Sequence, residues 1–131
     1  MIVLDTHAWI WFVSNPKLLS VKAKKAVEAA VQKKVVYISS ISVWEVAFLV
    51  MRNRLKLTMQ VSDWIHKSEL LPFMKFVPVT NSIALRSVNL PTPLHNDPAD
   101  RIIIATAMSL GASVITKDEK IRKYPHVNSI W

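Results

Sequence analysis

Acidic side chains are scarce in this sequence, and most of them stand where helices or strands are predicted to begin or end. The chain has nine Asp and Glu residues against seventeen Lys and Arg residues. Carboxylates that come together can bind a divalent cation or transfer protons, and a hard cation needs no His or Cys ligand. The acids at these positions are Asp5, Glu45, Asp97, Asp100 and Asp118.

Each acid also has a purely structural interpretation. Asp5 can simply favour the N-terminus of the helix that follows it. Glu45 follows Ser42 at the spacing of a capping box, in which the two side chains cap a helix start reciprocally. Asp97 suits the N-cap of a helix, and Asp100 suits its first turn. Asp118 suits a turn. Taken one at a time, these structural interpretations account for the acids well.

Taken together, the acids favour a metal site. Asp5 directly follows the apolar run Ile2–Leu4, and Glu45 lies in Ile41–Met51, where nine of eleven residues are apolar. A lone carboxylate in such surroundings is costly unless it is solvated, paired or bound to metal. Clustered carboxylates raise each other's pKa values, and a divalent cation removes that conflict. A set of oxygen ligands suits Mg²⁺ or Mn²⁺, and such a site supports phosphodiester hydrolysis.

The elements that must position these acids alternate along the chain. Strands are predicted at Ile2–Leu4, Val35–Ile38, Phe76–Val79, Ser113–Thr116 and Val127–Ile130. Helices are predicted at His7–Val13, Val21–Lys33, Ser42–Arg52, Ser62–Leu70, Asn81–Val88 and from Asp97 to Gly111. This alternation predicts a single α/β domain over residues 1–131, with a mainly parallel five-stranded sheet.

Local signals define several of these boundaries. Thr6 is the predicted N-cap of the first helix, and Pro78 predicts an edge position for the third strand. Asp97, Pro98 and Gly111 suit the N-cap, first turn and C-terminal stop of the clearest helix. Sites in parallel sheets form beyond the carboxyl ends of the strands. Asp5 and Asp118 each follow a predicted strand, so we expect both at the same edge of the sheet.

Composition excludes several other classes of protein. The single glycine, Gly111, excludes a Gly-rich phosphate-binding loop, and the absence of Cys excludes disulfides, thiolate zinc sites and a Cys nucleophile. No apolar run is long enough for a transmembrane helix, and no basic segment typical of a signal peptide precedes Ile2. We therefore expect a cytoplasmic protein. The net charge of +8 favours a polyanionic partner such as RNA or DNA.

Four segments resemble the motifs of the PIN-domain family, in its VapC-like branch. The third of them is the most specific, and the four occur in the family's order over nearly the whole chain. They are Val3–His7, Ser39–Glu45, Asp97–Ala107 and Val114–Asp118.

The resemblance implies a three-layer α/β/α sandwich and a Mg²⁺- or Mn²⁺-dependent endoribonuclease, the toxin component of a toxin–antitoxin pair. It also implies a homodimer and a cognate antitoxin that covers the acidic pocket. By motif position, the catalytic, metal-binding quartet is Asp5, Glu45, Asp100 and Asp118. Asp97 matches an additional acid of this branch, either as a ligand or as a supporting group. Thr6 and Thr116 match hydroxyl positions that orient the acids or a water molecule.

Other polar residues near these motifs have two interpretations each. Arg101 can bind RNA phosphate or pair with a carboxylate, and Lys117 can contact RNA or simply face solvent. For His7 and His95, a polar role on a loop or helix face is favoured over proton transfer.

Two predicted helices are apolar on several sides. Trp9–Phe12 and Val43–Met51 fit core packing, yet a chain of this length cannot easily bury both helices all round. We expect part of this surface to face a second copy or a partner protein.

The sequence leaves open three alternatives to an endoribonuclease. A phosphatase of the haloacid dehalogenase type also starts with a strand that ends in Asp, but it requires a second Asp where this chain has His7. A non-catalytic PIN-like module would bind RNA or protein without cutting it, and an incomplete acidic set would favour it. A DNA nuclease would use the same metal chemistry, since no residue here recognisably contacts a 2′-hydroxyl.

Overall fold

The computed structural model describes residues 1–131 and consists of five short strands and seven α-helices. The strands are β1 (Ile2–Leu4), β2 (Val36–Ser39), β3 (Met74–Val77), β4 (Ser113–Ile115) and β5 (Ser129–Ile130). The helices are α1 (Thr6–Ser14), α2 (Val21–Gln32), α3 (Ser40–Met51), α4 (Val61–Glu69), α5 (Asn81–Val88), α6 (Pro98–Leu110) and α7 (Glu119–Arg122). A single turn of 3₁₀ helix at Pro16–Leu18 follows α1.

The five strands form one parallel sheet in the order β3-β2-β1-β4-β5. The chain builds outward from β1 to β2 and β3, and then crosses back to place β4 on the other side of β1. The strand order therefore reverses between β1 and β4. In open α/β sheets, a crevice forms outside the carboxyl ends of the strands at such a point. Asp5 follows β1 at this crevice, and Asp118 follows β4 two residues beyond Thr116.

Helices cover both faces of the sheet. Alternate residues of β1 point to opposite faces, so Ile2 and Leu4 pack with α1 and α2 in one buried cluster. Val3 packs with Ile103 and Ile104 of α6 in a second cluster on the other face. The expected α/β/α sandwich with a central, parallel, five-stranded sheet is confirmed.

Cap residues explain where several helices begin. Ser20 accepts a hydrogen bond from the Ala23 N–H at the start of α2. In α6, Asp97 is the N-cap, and Gly111 ends the helix with a left-handed φ of 67°. A residue with a side chain is strained at this φ, which explains why the one glycine of the chain stands there.

Two predicted caps are wrong. The N-cap of α1 is Asp5, which accepts a hydrogen bond from the Ala8 N–H, and Thr6 is the first residue of the helix. The N-cap of α3 is Ser39, and the helix begins at Ser40, two residues earlier than predicted. Ser42 therefore lies inside α3, where it is buried, and does not form a capping box with Glu45.

The remaining differences concern the ends of elements. β3 lies at the edge of the sheet as predicted but ends at Val77, so Pro78 stands just outside the strand. β4 ends before Thr116, and β5 has only two residues. No helix has the length and apolar character needed to span a membrane.

Candidate active site

Residues from four separate segments line one cavity at the carboxyl ends of β1 and β4. Its volume is about 590 Å³, and we call it the acidic cavity. The residues that line it are Asp5, Thr6, His7, Trp11, Glu45, Asp97, Asp100, Lys117 and Asp118. All five acids singled out in the sequence are therefore brought together, with one aromatic residue and one lysine beside them.

Asp5 occupies the floor of the acidic cavity. It is 7% exposed, and its carboxylate caps α1 while the Thr116 hydroxyl hydrogen-bonds it. Burial raises the pKa of Asp5 to about 6, although these two hydrogen bonds oppose the shift. The Asp100 charge adds a smaller upward contribution. The fold thus holds a carboxyl group where its ionised form is unfavourable unless a cation is near.

Thr116 connects two of the acids. Its side chain is fully buried, and its hydroxyl oxygen accepts a hydrogen bond of 3.0 Å from the Asp118 N–H. Its hydroxyl group also hydrogen-bonds the carboxylate of Asp5. Asp118 caps α7 by accepting hydrogen bonds from the N–H groups of Lys120 and Ile121. The end of β4 is thereby tied to the end of β1 through a side chain.

Thr6 likewise fixes the side chain of Glu45 by a hydrogen bond. The Thr6 hydroxyl donates a hydrogen bond to Oε1 of Glu45, and the hydroxyl oxygens of Thr6 and Ser42 lie 2.9 Å apart. Burial raises the pKa of Glu45, and the charges of Asp100, Asp97 and Asp5 add to the rise. The α1–α3 packing therefore fixes this carboxylate in the acidic cavity.

Asp100 is held by a histidine. Nε2 of His95 lies 2.8 Å from Oδ2 of Asp100, whereas the buried Nδ1 has no hydrogen-bond partner. Burial raises the pKa of Asp100, and the neighbouring charges of Asp97 and Asp118 raise it further. The sequence favoured a polar loop role for His95, and only the spatial contact reveals that it orients an acid.

Asp97 lies at the exposed rim of the acidic cavity. Its Oδ1 accepts a hydrogen bond of 2.9 Å from the Asp100 N–H, which caps α6. Asp97 is therefore the N-cap of α6, as the sequence predicts. One oxygen suffices for the cap, so the same carboxylate also contributes charge and a second oxygen to the cavity.

Arg101 points away from the acids. Its guanidinium donates hydrogen bonds to the main-chain carbonyls of Ser87, Val88, Leu94 and His95. It forms no ion pair with a carboxylate and does not line the acidic cavity. Of the two interpretations of Arg101, the carboxylate pair is not formed, and Arg101 fastens the segment before α6 to that helix.

The donor set of the acidic cavity fits a hard divalent cation. It consists of carboxylates, with raised pKa values at three of them and no thiolate. No three Asp, Glu or His side chains converge closely enough to form a ready-made ligand group. Mutual repulsion opposes a closer approach of the charged carboxylates, and a cation reverses that balance.

The sequence matches the PIN domain family model over residues 2–127. The chain therefore belongs to the PIN domain family. It is also 34% identical to ribonuclease VapC22 of Mycobacterium tuberculosis over 132 aligned residues, which cover 99% of this chain and 98% of that protein. This likeness places it near the VapC-like branch that the four motifs indicated.

Solved structures share the fold at lower identity. VapBC2 from Rickettsia felis, bound to a DNA fragment from its promoter, is 17% identical with a TM-score of 0.72. The match covers 98% of this chain and 97% of that one. A toxin–antitoxin complex from Klebsiella pneumoniae is 22% identical with a TM-score of 0.64, covering 97% of this chain and 95% of that one.

Proposed function

We propose that the chain is a Mg²⁺- or Mn²⁺-dependent endoribonuclease that hydrolyses RNA phosphodiester bonds. One observation carries this proposal: five carboxylates from distant segments line a single cavity at the point where the strand order reverses. Three of these acids have raised pKa values, which is typical of functional sites. The family and the named ribonuclease relative support the same activity.

The catalytic roles follow the positions of the acids. Asp5, Glu45, Asp100 and Asp118 would hold the metal, and Asp97 would add a ligand or a supporting charge at the rim. A bound divalent cation would supply an activated water molecule and stabilisation of the leaving oxygen.

The hydroxyl groups of the site keep these acids in place. Thr6 donates to Glu45, while Thr116 joins Asp5 to the N–H of Asp118. Both threonines are buried, so their hydrogen bonds compete little with water. Lys117, exposed at the mouth of the cavity, would attract the phosphate backbone. Arg101 already donates to main-chain carbonyls, so we propose a positioning role for it in place of RNA binding.

The cleavage assay that tests this proposal uses a mixed pool of single-stranded and structured RNAs. The wild-type protein should cut RNA with Mg²⁺ or Mn²⁺ and lose this activity in EDTA. Asp100→Asn and Asp5→Asn should abolish it, while Asp63→Asn, on the exposed side of α4, should not. RNA binding without metal-dependent cleavage would instead support a non-catalytic module. Cleavage of DNA in preference to RNA would identify a DNA nuclease.

We further propose that the protein is the toxin of a toxin–antitoxin pair, with the antitoxin covering the acidic cavity. The similar ribonuclease and the toxin–antitoxin complexes that share the fold support this assignment. Expression of the chain alone should arrest growth, and Asp100→Asn should relieve the arrest. Unchanged toxicity of that variant would contradict the mechanism.

An exposed aromatic face supports a homodimer. Trp44 and Phe48 of α3 stack with ring centroids 5.1 Å apart, and Met51 lies exposed one turn further. Arg52 lies over the Phe48 ring at 5.6 Å. Large exposed apolar groups on one helix typically mark an interface, and we propose that a second copy covers them.

Light scattering of the purified chain tests the dimer. The wild type should have twice the mass of one chain, and Phe48→Glu should be monomeric. Val21→Glu is the matched control, because Val21 is also exposed but begins α2, where an acid is tolerated. A monomeric wild type, or a Phe48→Glu variant that remains dimeric, would overturn this assignment.

A further inference from the structure

Trp11 is the one hydrophobic residue among the acids of the cavity. It is half-buried on α1, and three neighbours surround its ring. The ring centroids of His7 and Trp131 lie 5.8 Å and 5.7 Å from that of Trp11. The ammonium of Lys117 lies over the Trp11 ring at 6.0 Å. A large aromatic surface is therefore held in a fixed place beside the carboxylates.

Trp131 belongs to a second pocket next to the first. This pocket has a volume of about 400 Å³, and we call it the basic pocket. The residues that line it are Lys22, Glu119, Arg122, Lys123, Ser129 and Trp131. Because the Trp11 and Trp131 rings pack against each other, the acidic cavity and the basic pocket are joined by a continuous aromatic surface.

The charge of the basic pocket suits phosphate. Three cationic side chains and one acidic side chain line it, and Oε2 of the acid, Glu119, lies 3.9 Å from Nζ of Lys123. Both side chains of this pair are about four-fifths exposed, so the pair is weak and easily rearranged. Lys22 and Arg122 form no ion pair at all. Their charges remain available to a polyanion.

We propose that a single-stranded RNA runs from the acidic cavity across Trp11 and Trp131 into the basic pocket. A base next to the cleaved phosphate stacks on Trp11, and the following phosphates bind Lys22, Arg122 and Lys123. This inference rests on the proposed ribonuclease function and names the form of its substrate. Aromatic faces accept any base, whereas bases in a duplex are already stacked on one another.

The position of Lys117 fits this arrangement. A nucleotide presents a flat base and a charged phosphate side by side, and Trp11 and Lys117 present an aromatic ring and an ammonium side by side. In the free protein the ammonium lies near the ring as a cation–π pair. Phosphate is a stronger partner for the ammonium than the ring, so the ring face becomes available as the strand enters.

A binding assay tests the stacking directly. Fluorescence anisotropy measures the affinity of a labelled 12-nucleotide oligouridine and of an abasic ribose–phosphate strand of equal length. Asp100→Asn, with Mg²⁺ present, serves as the parent protein because it should not cut either strand. Adding Trp11→Ala should weaken oligouridine binding about 5- to 100-fold, equivalent to about 1–3 kcal/mol per stacked base. Binding of the abasic strand should not change.

Three further variants separate stacking from packing. Trp131→Ala should also weaken binding of oligouridine selectively, and Trp11→Phe should recover part of the lost affinity. Leu85→Ala is the matched control, because it removes an exposed apolar side chain outside both pockets and outside the proposed dimer face. Thermal melting identifies any variant that fails to fold. If Trp11→Ala fails to fold, Trp11→Leu replaces it, because leucine keeps an apolar side chain without an aromatic face.

The salt dependence of oligouridine binding tests the basic pocket. Lys22→Ala and Arg122→Ala should each reduce the slope of log affinity against log salt by about 0.7, the value for one lost contact to a single strand. Lys75→Ala, an exposed lysine on the opposite edge strand, should leave the slope unchanged.

Two results would overturn the inference. Equal weakening of the oligouridine and abasic strands by Trp11→Ala would show that the ring supports the fold and does not stack a base. No effect of Trp11→Ala and Trp131→Ala, in a protein whose wild type cleaves RNA, would also reject the path and leave the ribonuclease function intact. Conversely, base-selective binding by a wild type that cuts no RNA would reject the ribonuclease function alone.

Discussion

The acidic cavity and the basic pocket lie side by side and are built in opposite ways. The acids are fixed by hydrogen bonds. Asp5 caps α1, Glu45 accepts a hydrogen bond from Thr6, and Asp100 is hydrogen-bonded to His95. The cations of the basic pocket are exposed, and their one ion pair measures 3.9 Å. Charges that must act on a reacting bond need fixed positions, whereas charges that attract a polyanion need only be near. Substitutions in the acidic cavity should therefore cause large losses of catalytic rate. Substitutions in the basic pocket should cause small, additive losses of RNA affinity.

The largest expected difference is in the rate of cleavage. Asp5→Asn, Glu45→Gln and Asp100→Asn should each lower kcat at least about 100-fold, beyond the ~10–100-fold typical of residues that only support a ligand. Lys22→Ala should instead raise KM a few-fold and leave kcat close to the wild-type value, because a charge of the basic pocket acts on binding. Single-turnover and steady-state kinetics on one defined RNA distinguish the two. Equal losses of kcat from substitutions in both regions would contradict the separation of a catalytic cavity from a binding pocket.

A smaller loss of kcat is expected when a carboxylate of the cavity stays in place but the side chain that donates a hydrogen bond to it is removed. Thr6→Val removes the hydroxyl that donates to Glu45 and should lower kcat about 10–100-fold. Thr6→Ser keeps the hydroxyl and should retain most of the activity. If Thr6→Ser is as impaired as Thr6→Val in the same kinetic assay, the methyl group and its packing matter more than the hydrogen bond.

Burial of acids should also destabilise the metal-free protein. Asp5→Asn keeps an oxygen that can cap α1 and removes a charge that burial disfavours. In EDTA at neutral pH, this variant should raise the free energy of unfolding by about 1–3 kcal/mol. Asp63→Asn is the control and should have little effect, because Asp63 lies exposed on α4. Denaturant titration measures the difference, and a less stable Asp5→Asn protein would contradict the account.

The destabilisation by the buried charge of Asp5 depends on pH. The folded-state pKa of Asp5 is about 6, above its ordinary value of 3.8, so the folded protein binds the proton more tightly than the unfolded chain. The stabilisation from protonated Asp5 is complete below pH 3.8 and disappears as the pH rises through 6. The stability difference between Asp5→Asn and wild type should therefore be near zero around pH 4 and should increase up to about pH 6. A difference that is constant with pH would exclude Asp5 as its source.

The sequence predicted that Asp5 and Asp118 meet at one edge of the sheet because both lie just past predicted strands. Glu45, inside a helix, was assigned to the same site by the family resemblance. Asp5 follows an apolar strand and Asp97 precedes Pro98, and both are local signals that survive in any tertiary setting. Parallel strands then bring their carboxyl ends to one edge, which places Asp118 near Asp5. The strand–helix alternation fixed the class of fold in the same way.

Other features depended on tertiary contacts that no local signal carries. Ser42 was predicted to cap α3, but it is buried inside the helix beside Thr6, and Ser39 is the N-cap. The partners of Arg101 are main-chain carbonyls up to 14 residues away, whose direction no sequence pattern gives. The contact between Trp11 and Trp131 joins nearly opposite ends of the chain. Such pairings follow from packing alone.

The most direct test of the account is a calorimetric titration of the metal-free protein with Mn²⁺. At pH 6 the acidic cavity of the wild type should bind Mn²⁺ with release of protons, because the pKa of Asp5 is about 6 and part of this carboxyl is then protonated. Asp5→Asn should weaken this binding at least about 10-fold, and Asp63→Asn should not change it. Equal Mn²⁺ binding by wild type and Asp5→Asn would contradict the claim that these carboxylates form one cation site.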